Sequence, residues 1–312
     1  MLFCLALSFL AAQSAFAFDK DKSSAISHYI MGVMYEDTGD IDKAIQEYKS
    51  VVKADNESAL VHLNLASAYI KKGDIPLAVE ELKEGSRLDP EAIEPHVALA
   101  LIYSAQNKPE LATGEYEKAL TSAAKEEPKN IDIHKSLGAI YLQQRRLKEA
   151  KEAYQLVIDL SPLDPDGHFY LGSIYNELKN NDLAEKELKR SIELRPDSPE
   201  VLNYLGYLYV EQNKNLNQAE SMIKKALELD PSNGAYIDSL GWLYFKKGNL
   251  QEALKNLERA SSLLEDPVIY DHLGDVYSKL KDPEKAKLNW EKSLKLNPKQ
   301  DSVTKKLSKI KK

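Results

Sequence analysis

The chain predicts an all-α fold, a solenoid of eight helical hairpins with a short helix closing its C-terminal end. Three observations carry that expectation. First, a small residue, a Tyr three positions later and an Ala about nine further on recur eight times, as Gly32/Tyr35/Ala44, Ala66/Tyr69/Ala78, Ala100/Tyr103/Ala112, Gly138/Tyr141/Ala150, Gly172/Tyr175/Ala184, Gly206/Tyr209/Ala219, Gly241/Tyr244/Ala253 and Gly274/Tyr277/Ala286. The small residues stand 34, 34, 38, 34, 34, 35 and 33 apart, a period that marks stacked helix pairs, each burying its apolar side on its neighbours. Second, a Pro follows most of the Ala residues by twelve positions, at Pro90, Pro162, Pro196, Pro231 and Pro298; Pro removes a backbone donor and disfavours helix in the residue before it. Third, the apolar residues inside each unit run at helical spacing.

Taken in order, the first element is a leader. Leu2 to Ala12 is apolar apart from Ser8, and Ala15-Phe16-Ala17 fits a signal-peptidase site with cleavage before Phe18. The run is shorter than the roughly 20 residues that a spanning helix needs, which weighs against an uncleaved anchor or a buried first helix, although no Lys or Arg precedes it. Residues 1–17 are therefore expected to be a signal peptide and the protein to be exported, to a periplasm; the alternative is a chain held to the membrane by its uncleaved signal. The one Cys, Cys4, lies inside this leader and too early for a lipoprotein cleavage box. The processed chain would have no thiol for a disulfide, for catalysis or for a metal.

After a segment at 18–24, repeats are expected to start near residues 25, 59, 93, 131, 165, 199, 234 and 267 and to run through 299 as one array without a linker. Repeat four shows the logic of a unit. Ile133, Leu137, Ile140 and Tyr141 make an i, i+4, i+7, i+8 stripe on a first helix over 131–144. Arg145 to Leu147 turn the chain, and Ala150, Ala153, Tyr154, Val157 and Ile158 line a second helix over 148–160. Gly138 and Ala150 are small enough for the two helices to approach closely, and Tyr141 fills the volume beside them while its hydroxyl reaches solvent or backbone. In Gly39-Asp40, Gly73-Asp74 and Gly248-Asn249 the Gly suits a left-handed helix stop and the Asp or Asn a cap for the next helix. Two irregularities are local: four extra residues near 122–128 lengthen a helix or loop of repeat three, and one extra residue near 213–217 sits in the turn of repeat six.

The stretches "LGAIYLQQRRLKEAKEAYQLVIDLSP" and "LGWLYFKKGNLQEALKNLERA" resemble the tetratricopeptide repeat family, and the resemblance covers about Ala25 to Lys299. It implies a right-handed superhelical solenoid. "SLGWLYF" and "HLGDVYSKL" further resemble tetratricopeptide proteins of bacterial cell envelopes.

The last segment, 300–312, places Val303, Leu307 and Ile310 at i, i+4, i+7 among five Lys. Such a helix could lie on anionic lipid, but three apolar residues are few, and a solenoid end needs a polar-faced helix to cover it. It is read as a basic capping helix. The chain carries a net charge of −7, and Asp301 to Lys312 holds five Lys against one Asp, so the body before it is near −11. An acidic body repels phosphates and argues against a nucleic-acid partner.

The sequence carries no catalytic motif of the common kinds. There is no Gly-rich phosphate loop, no metalloprotease His pair and no nucleophile elbow. His28, His62, His96, His134 and His168 each precede the small residue of their repeat by four positions. Equivalent residues of successive hairpins lie roughly 10 Å apart, far more than two ligand bonds of about 2 Å can bridge, so a packing role is expected and neither metal nor cofactor. His272 falls off that register.

Function is then expected from a surface. In the family the first helices line a concave groove, and the resemblance places on it Phe169, Asn203, Tyr207, Asp238, Trp242, Phe245, Asp271 and Asp275. Phe169, Tyr207, Trp242 and Phe245 are large rings at positions the hairpin core does not require, with Trp242 at the centre of a patch. Aromatic anchors beside polar groups are what binding hot spots are made of. Some family members clamp a peptide carboxylate with Lys, Asn and Arg; here Lys135, Tyr170, Glu200 and Tyr204 do not match that pattern. An acidic, aromatic groove favours a segment with Lys or Arg and an apolar anchor. The expectation is a non-enzymatic exported scaffold or adaptor that binds a protein segment. The alternatives are a structural subunit of an envelope assembly that leaves the groove idle or filled by its own terminus and, more remotely, an enzyme or metal protein.

Overall fold

The computed structural model describes residues 23–310, the side chain of Ile310 excepted. The expected signal peptide, Cys4, the cleavage point at Phe18 and the last two lysines lie outside the described residues.

Every described element is a helix. The chain divides into two compact units, one ending at Ala150 and the other beginning at Lys151, a boundary inside a helix. The first unit holds α1 (23–37), α2 (Ile41–Ala54), α3 (Ala59–Lys72), α4 (Ile75–Leu88), α5 (Ile93–Ala105), α6 (Pro109–Glu126), α7 (Ile131–Gln143) and the start of α8 (Leu147–Leu160). The second holds the rest of α8 and then α9 (Pro165–Glu177), α10 (Asn181–Leu194), α11 (Pro199–Glu211), α12 (Leu216–Leu229), α13 (Gly234–Lys246), α14 (Leu250–Leu263), α15 (Pro267–Lys279), α16 (Pro283–Leu296) and α17 (Asp301–Ile310). Within each unit consecutive helices pack as pairs, α3 on α4 and α5 on α6 in one, α9 on α10 through α15 on α16 in the other. The four extra residues of repeat three all enter α6, which runs 18 residues where α2 and α4 run 14.

The recurring small residues do what close packing requires. A Cβ on Gly206 would stand 2.8 Å from Ile223 Cγ1, and one on Gly241 2.7 Å from Leu257 Cγ, so either would push the pair apart. Ala44, Ala78, Ala184, Ala219, Ala253 and Ala286 are fully buried opposite them. Several of the motif Tyr residues are held through the hydroxyl, the ring face or both. Tyr209 donates its hydroxyl to Glu185 at 2.9 Å and Tyr277 to Glu258 at 2.7 Å. A cation of the following turn or second helix lies over the ring: Lys43 5.1 Å from Tyr35, Arg146 4.4 Å from Tyr141, Lys285 5.2 Å from Tyr277. Burial works against Glu185, yet Lys189, Lys214 and Tyr209 together hold its carboxyl down to about 2.

All eight turns within repeats stop the first helix with one left-handed residue. Gly39, Gly73 and Gly248 occupy three of them, and Asn107, Arg145, Lys179, Asn213 and Lys281 adopt the same positive φ without being Gly. Repeat six spends its extra residue on a second such position, Asn215 at φ 50°. The expected caps are corrected in part: Asp74 accepts from the Leu77 amide, but Asp40 and Asn249 make no side-chain cap bond, and Asp40 instead pairs with Lys43 at 2.7 Å.

His62, His96 and His168 are buried, in keeping with a packing role. Each sets Nδ1 against a Glu nineteen residues on, at 2.6 Å to Glu81, 2.6 Å to Glu115 and 2.7 Å to Glu187. His134 faces Ala153 in that register and instead donates Nε2 to the Pro128 carbonyl at 2.9 Å. In the second unit α17 covers the last hairpin as expected: Val303 is fully buried, and Leu307 packs against the cluster that holds Trp290.

Candidate partner-binding face

The residues expected to bind a partner all lie in the second unit, on α9, α11, α13 and α15. Two pairs of successive first helices sit against one another, α11 against α13 and α13 against α15. This is why the rings are not free. Phe169 and Trp242 are each only 7% exposed, and Tyr207 and Phe245 are partly buried. The expectation that these rings stand exposed is therefore corrected: positions one after and three before the small residue are covered by the neighbouring first helix.

Trp242 is the centre of this face in a different sense. Its ring stacks on Phe245 at 4.7 Å and on His272 at 4.0 Å, and its indole N–H donates to Glu211 at 2.6 Å. His272 in turn places Nδ1 2.9 Å from Asp238, a carboxylate that can only accept, so Nδ1 carries the proton. Both His272 and Asp238 are buried. Burial alone would lower the imidazole's pKa, but the carboxylates of Asp238, Asp271 and Glu211 outweigh it and hold His272 above its ordinary value.

Asp271 and Asp275 are also engaged. Lys306 of α17 reaches them at 2.7 and 2.8 Å. Burial raises Asp275 above the usual carboxylate range, with Lys306 opposing and Asp271 adding to the rise. Together with Phe245 and Trp290, Asp275 and Lys306 line an open cavity of ≈ 490 Å³. Asn203, Tyr207 and Asp238 meet in a second open cavity of ≈ 250 Å³, lined also by Tyr204, Val268 and Ile269. Phe169 stands apart from both, edge-on to Tyr204 at 5.7 Å. Asn203 Oδ1 is buried with no hydrogen-bond partner, while burial pushes the Tyr207 phenol far up, so it stays protonated.

Two residues central to this face, His272 and Lys306, were not expected there. The signal was in the numbering: Asp238, His272 and Lys306 are 34 apart, the repeat period itself. Among the described residues no three His, Cys, Asp or Glu side chains are grouped as a metal would need, and no helix is long and apolar enough to cross a membrane.

Tetratricopeptide repeat models match residues 37–102, 97–165, 135–199, 199–233, 236–265 and 268–300. The chain belongs to the tetratricopeptide repeat family. Solved tetratricopeptide structures share the fold. A tetratricopeptide repeat protein from Parabacteroides merdae ATCC 43184 is 20% identical, with a TM-score of 0.61, over 81% of this chain and 99% of that one. A chain of the APC/C hetero-tetramer Cut9–Hcn1 is 19% identical with a TM-score of 0.59; the match covers 92% of this chain but 54% of that one, so this chain spans about half its length. YrrB, described as a tetratricopeptide protein with an unusual peptide-binding site, is 23% identical with a TM-score of 0.44, over 65% of this chain and 99% of its own. No curated protein matches. Scaffolds that bind other proteins are the common use of this family's fold.

Proposed function

We propose that the protein is an exported, non-enzymatic adaptor that holds a segment of another protein against the first helices of repeats six to eight. The observation that carries this reading is the cavity between α11, α13 and α15: it has ring and aliphatic walls, carboxylates beside it, and a buried acceptor, Asn203 Oδ1, with nothing to accept from. Buried polar groups are nearly always paired, so an unpaired one on a residue that lines a cavity is what a bound donor would satisfy once the side chain turns toward it. Concave, mostly apolar sites with a few fixed polar groups are where ligands settle. Export is supported by the apolar leader and its Ala15-Phe16-Ala17 site.

Ala235 is exposed at the rim of this cavity. A photo-reactive residue placed there is expected to cross-link one protein from an envelope fraction, and the product is expected to vanish when Tyr207→Ala is added. A partner still captured by Tyr207→Ala through second-helix positions would instead favour a subunit held by its edges. N-terminal sequencing of protein recovered outside the cytoplasm is expected to begin at or near Phe18; a sequence beginning within residues 1–10 refutes cleavage.

A further inference from the structure

Successive first helices of the second unit are joined by a series of rungs. The residue three before each small residue faces the residue two before the small residue of the next repeat. In repeats five and six this pair is Phe169 and Tyr204, rings edge-on at 5.7 Å. In repeats seven and eight it is Asp238 and His272, at 2.9 Å. Beyond repeat eight it is Asp271 and Lys306, at 2.7 Å, with α17 supplying the residue 34 positions after His272. One rung is broken. In repeats six and seven the pair is Asn203 and Ser239, and the Ser239 hydroxyl turns back to the Ala235 carbonyl at 3.0 Å. Asn203 Oδ1 is left buried and unpartnered, and both residues line the ≈ 250 Å³ cavity.

We infer that this missing rung is supplied by a Lys or Arg side chain of the bound partner. The inference rests on the reading of this face as partner-binding and names what the partner inserts. Tyr204, Tyr207, Leu264, Val268 and Ile269 offer an apolar sleeve for an aliphatic stem, and such stems bury readily while the charged head finds acceptors. Asn203, Asp266 and Asp238, the last already paired with His272, are the polar side chains of its lining beside Ser239, and no Lys, Arg or His lines the cavity. The last rung demonstrates the chemistry within this molecule: Lys306 lays its ammonium between Asp271 and Asp275 at 2.7 and 2.8 Å. A hydrogen bond from a charged donor is roughly twice as strong as a neutral one, so the head group decides selectivity.

The test uses the whole processed protein and two acetylated, amidated pentapeptides, Ala-Ala-Lys-Ala-Ala and the same peptide with norleucine at its centre. Nuclear magnetic resonance titration is expected to shift the Asn203 side-chain amide and the Ser239 amide, with the lysine peptide binding at least about tenfold more tightly, the margin a charge-assisted bond supplies. Ser239→Lys, which completes the rung internally, is expected to abolish binding, and Asn203→Leu to remove the lysine preference. Equal affinity for the two peptides, no shift at Asn203, or undiminished binding by folded Ser239→Lys and Asn203→Leu overturns the inference. If lysine selectivity fails while the Ala235 cross-link persists, only this inference falls; if the cross-link is also lost, the partner-binding reading falls with it.

Discussion

At the scale of the residue, Trp242 is a structural ring. It is sandwiched between Phe245 and His272 and hydrogen-bonded to Glu211. Trp242→Ala is therefore expected to cost about 3–5 kcal/mol of stability, as large-to-small changes in cores do, measured by chemical denaturation. An unchanged midpoint would return Trp242 to the status of an exposed anchor. His272 adds a pH dependence of known sign. Its folded-state pKa lies above the ordinary 6.5, so the imidazolium's stabilising contribution is complete below that value and is lost as pH rises through the raised one. The protein is expected to melt higher at about pH 6 than at about pH 8.5, and His272→Gln to flatten that slope. The substitution also leaves Asp238 buried without its partner, so a lower melting point at both pH values is expected.

At the scale of the element, the eight left-handed turn residues give a sharp contrast. Lys281 and Lys179 hold φ 62° and 61° at a cost that Gly does not pay. Lys281→Gly and Lys179→Gly are each expected to gain up to about 1 kcal/mol, and Gly248→Ala to lose about as much; equilibrium unfolding of the three variants decides it. Removing α17 after Gln300 uncovers Trp290 and strips Lys306 from Asp271 and Asp275. It is expected to lower the melting temperature and to promote aggregation. Elements were also where the sequence was easiest to read. The Gly–Tyr–Ala period and the Pro spacing located the helix pairs because close packing leaves few residue types permissible there. The site was harder to read. The positions of Phe169 and Trp242 follow from periodicity, but whether a ring on a first helix meets water or the next helix depends on how tightly neighbouring repeats approach. That approach is set by side chains 34 residues away, such as His272 and Lys306, rather than by the local pattern.

At the scale of the whole molecule, a chain of net charge −7 ends in a helix rich in Lys, one of which is already spent on first-helix carboxylates. Raising salt is therefore expected to weaken a lysine-bearing partner more than it weakens the fold, since exposed encounter charges are screened within a Debye length of about 8 Å at physiological strength while the buried Asp238–His272 pair is sheltered. A salt titration of cross-linking yield against melting temperature measures the two together. The rungs between first helices also run in one direction: in the two ionic rungs the acid comes from the earlier repeat and the base from the later one. The repeats of the second unit are thus not interchangeable parts, for all their nearly equal length. A copy of repeat seven placed after repeat eight would set Ser239 where Asp271 awaits a base, and a chain cut before α15 would end on a stranded Asp238. The order of the repeats is enforced by charge, and shuffling them would carry an electrostatic penalty at each mismatched seam.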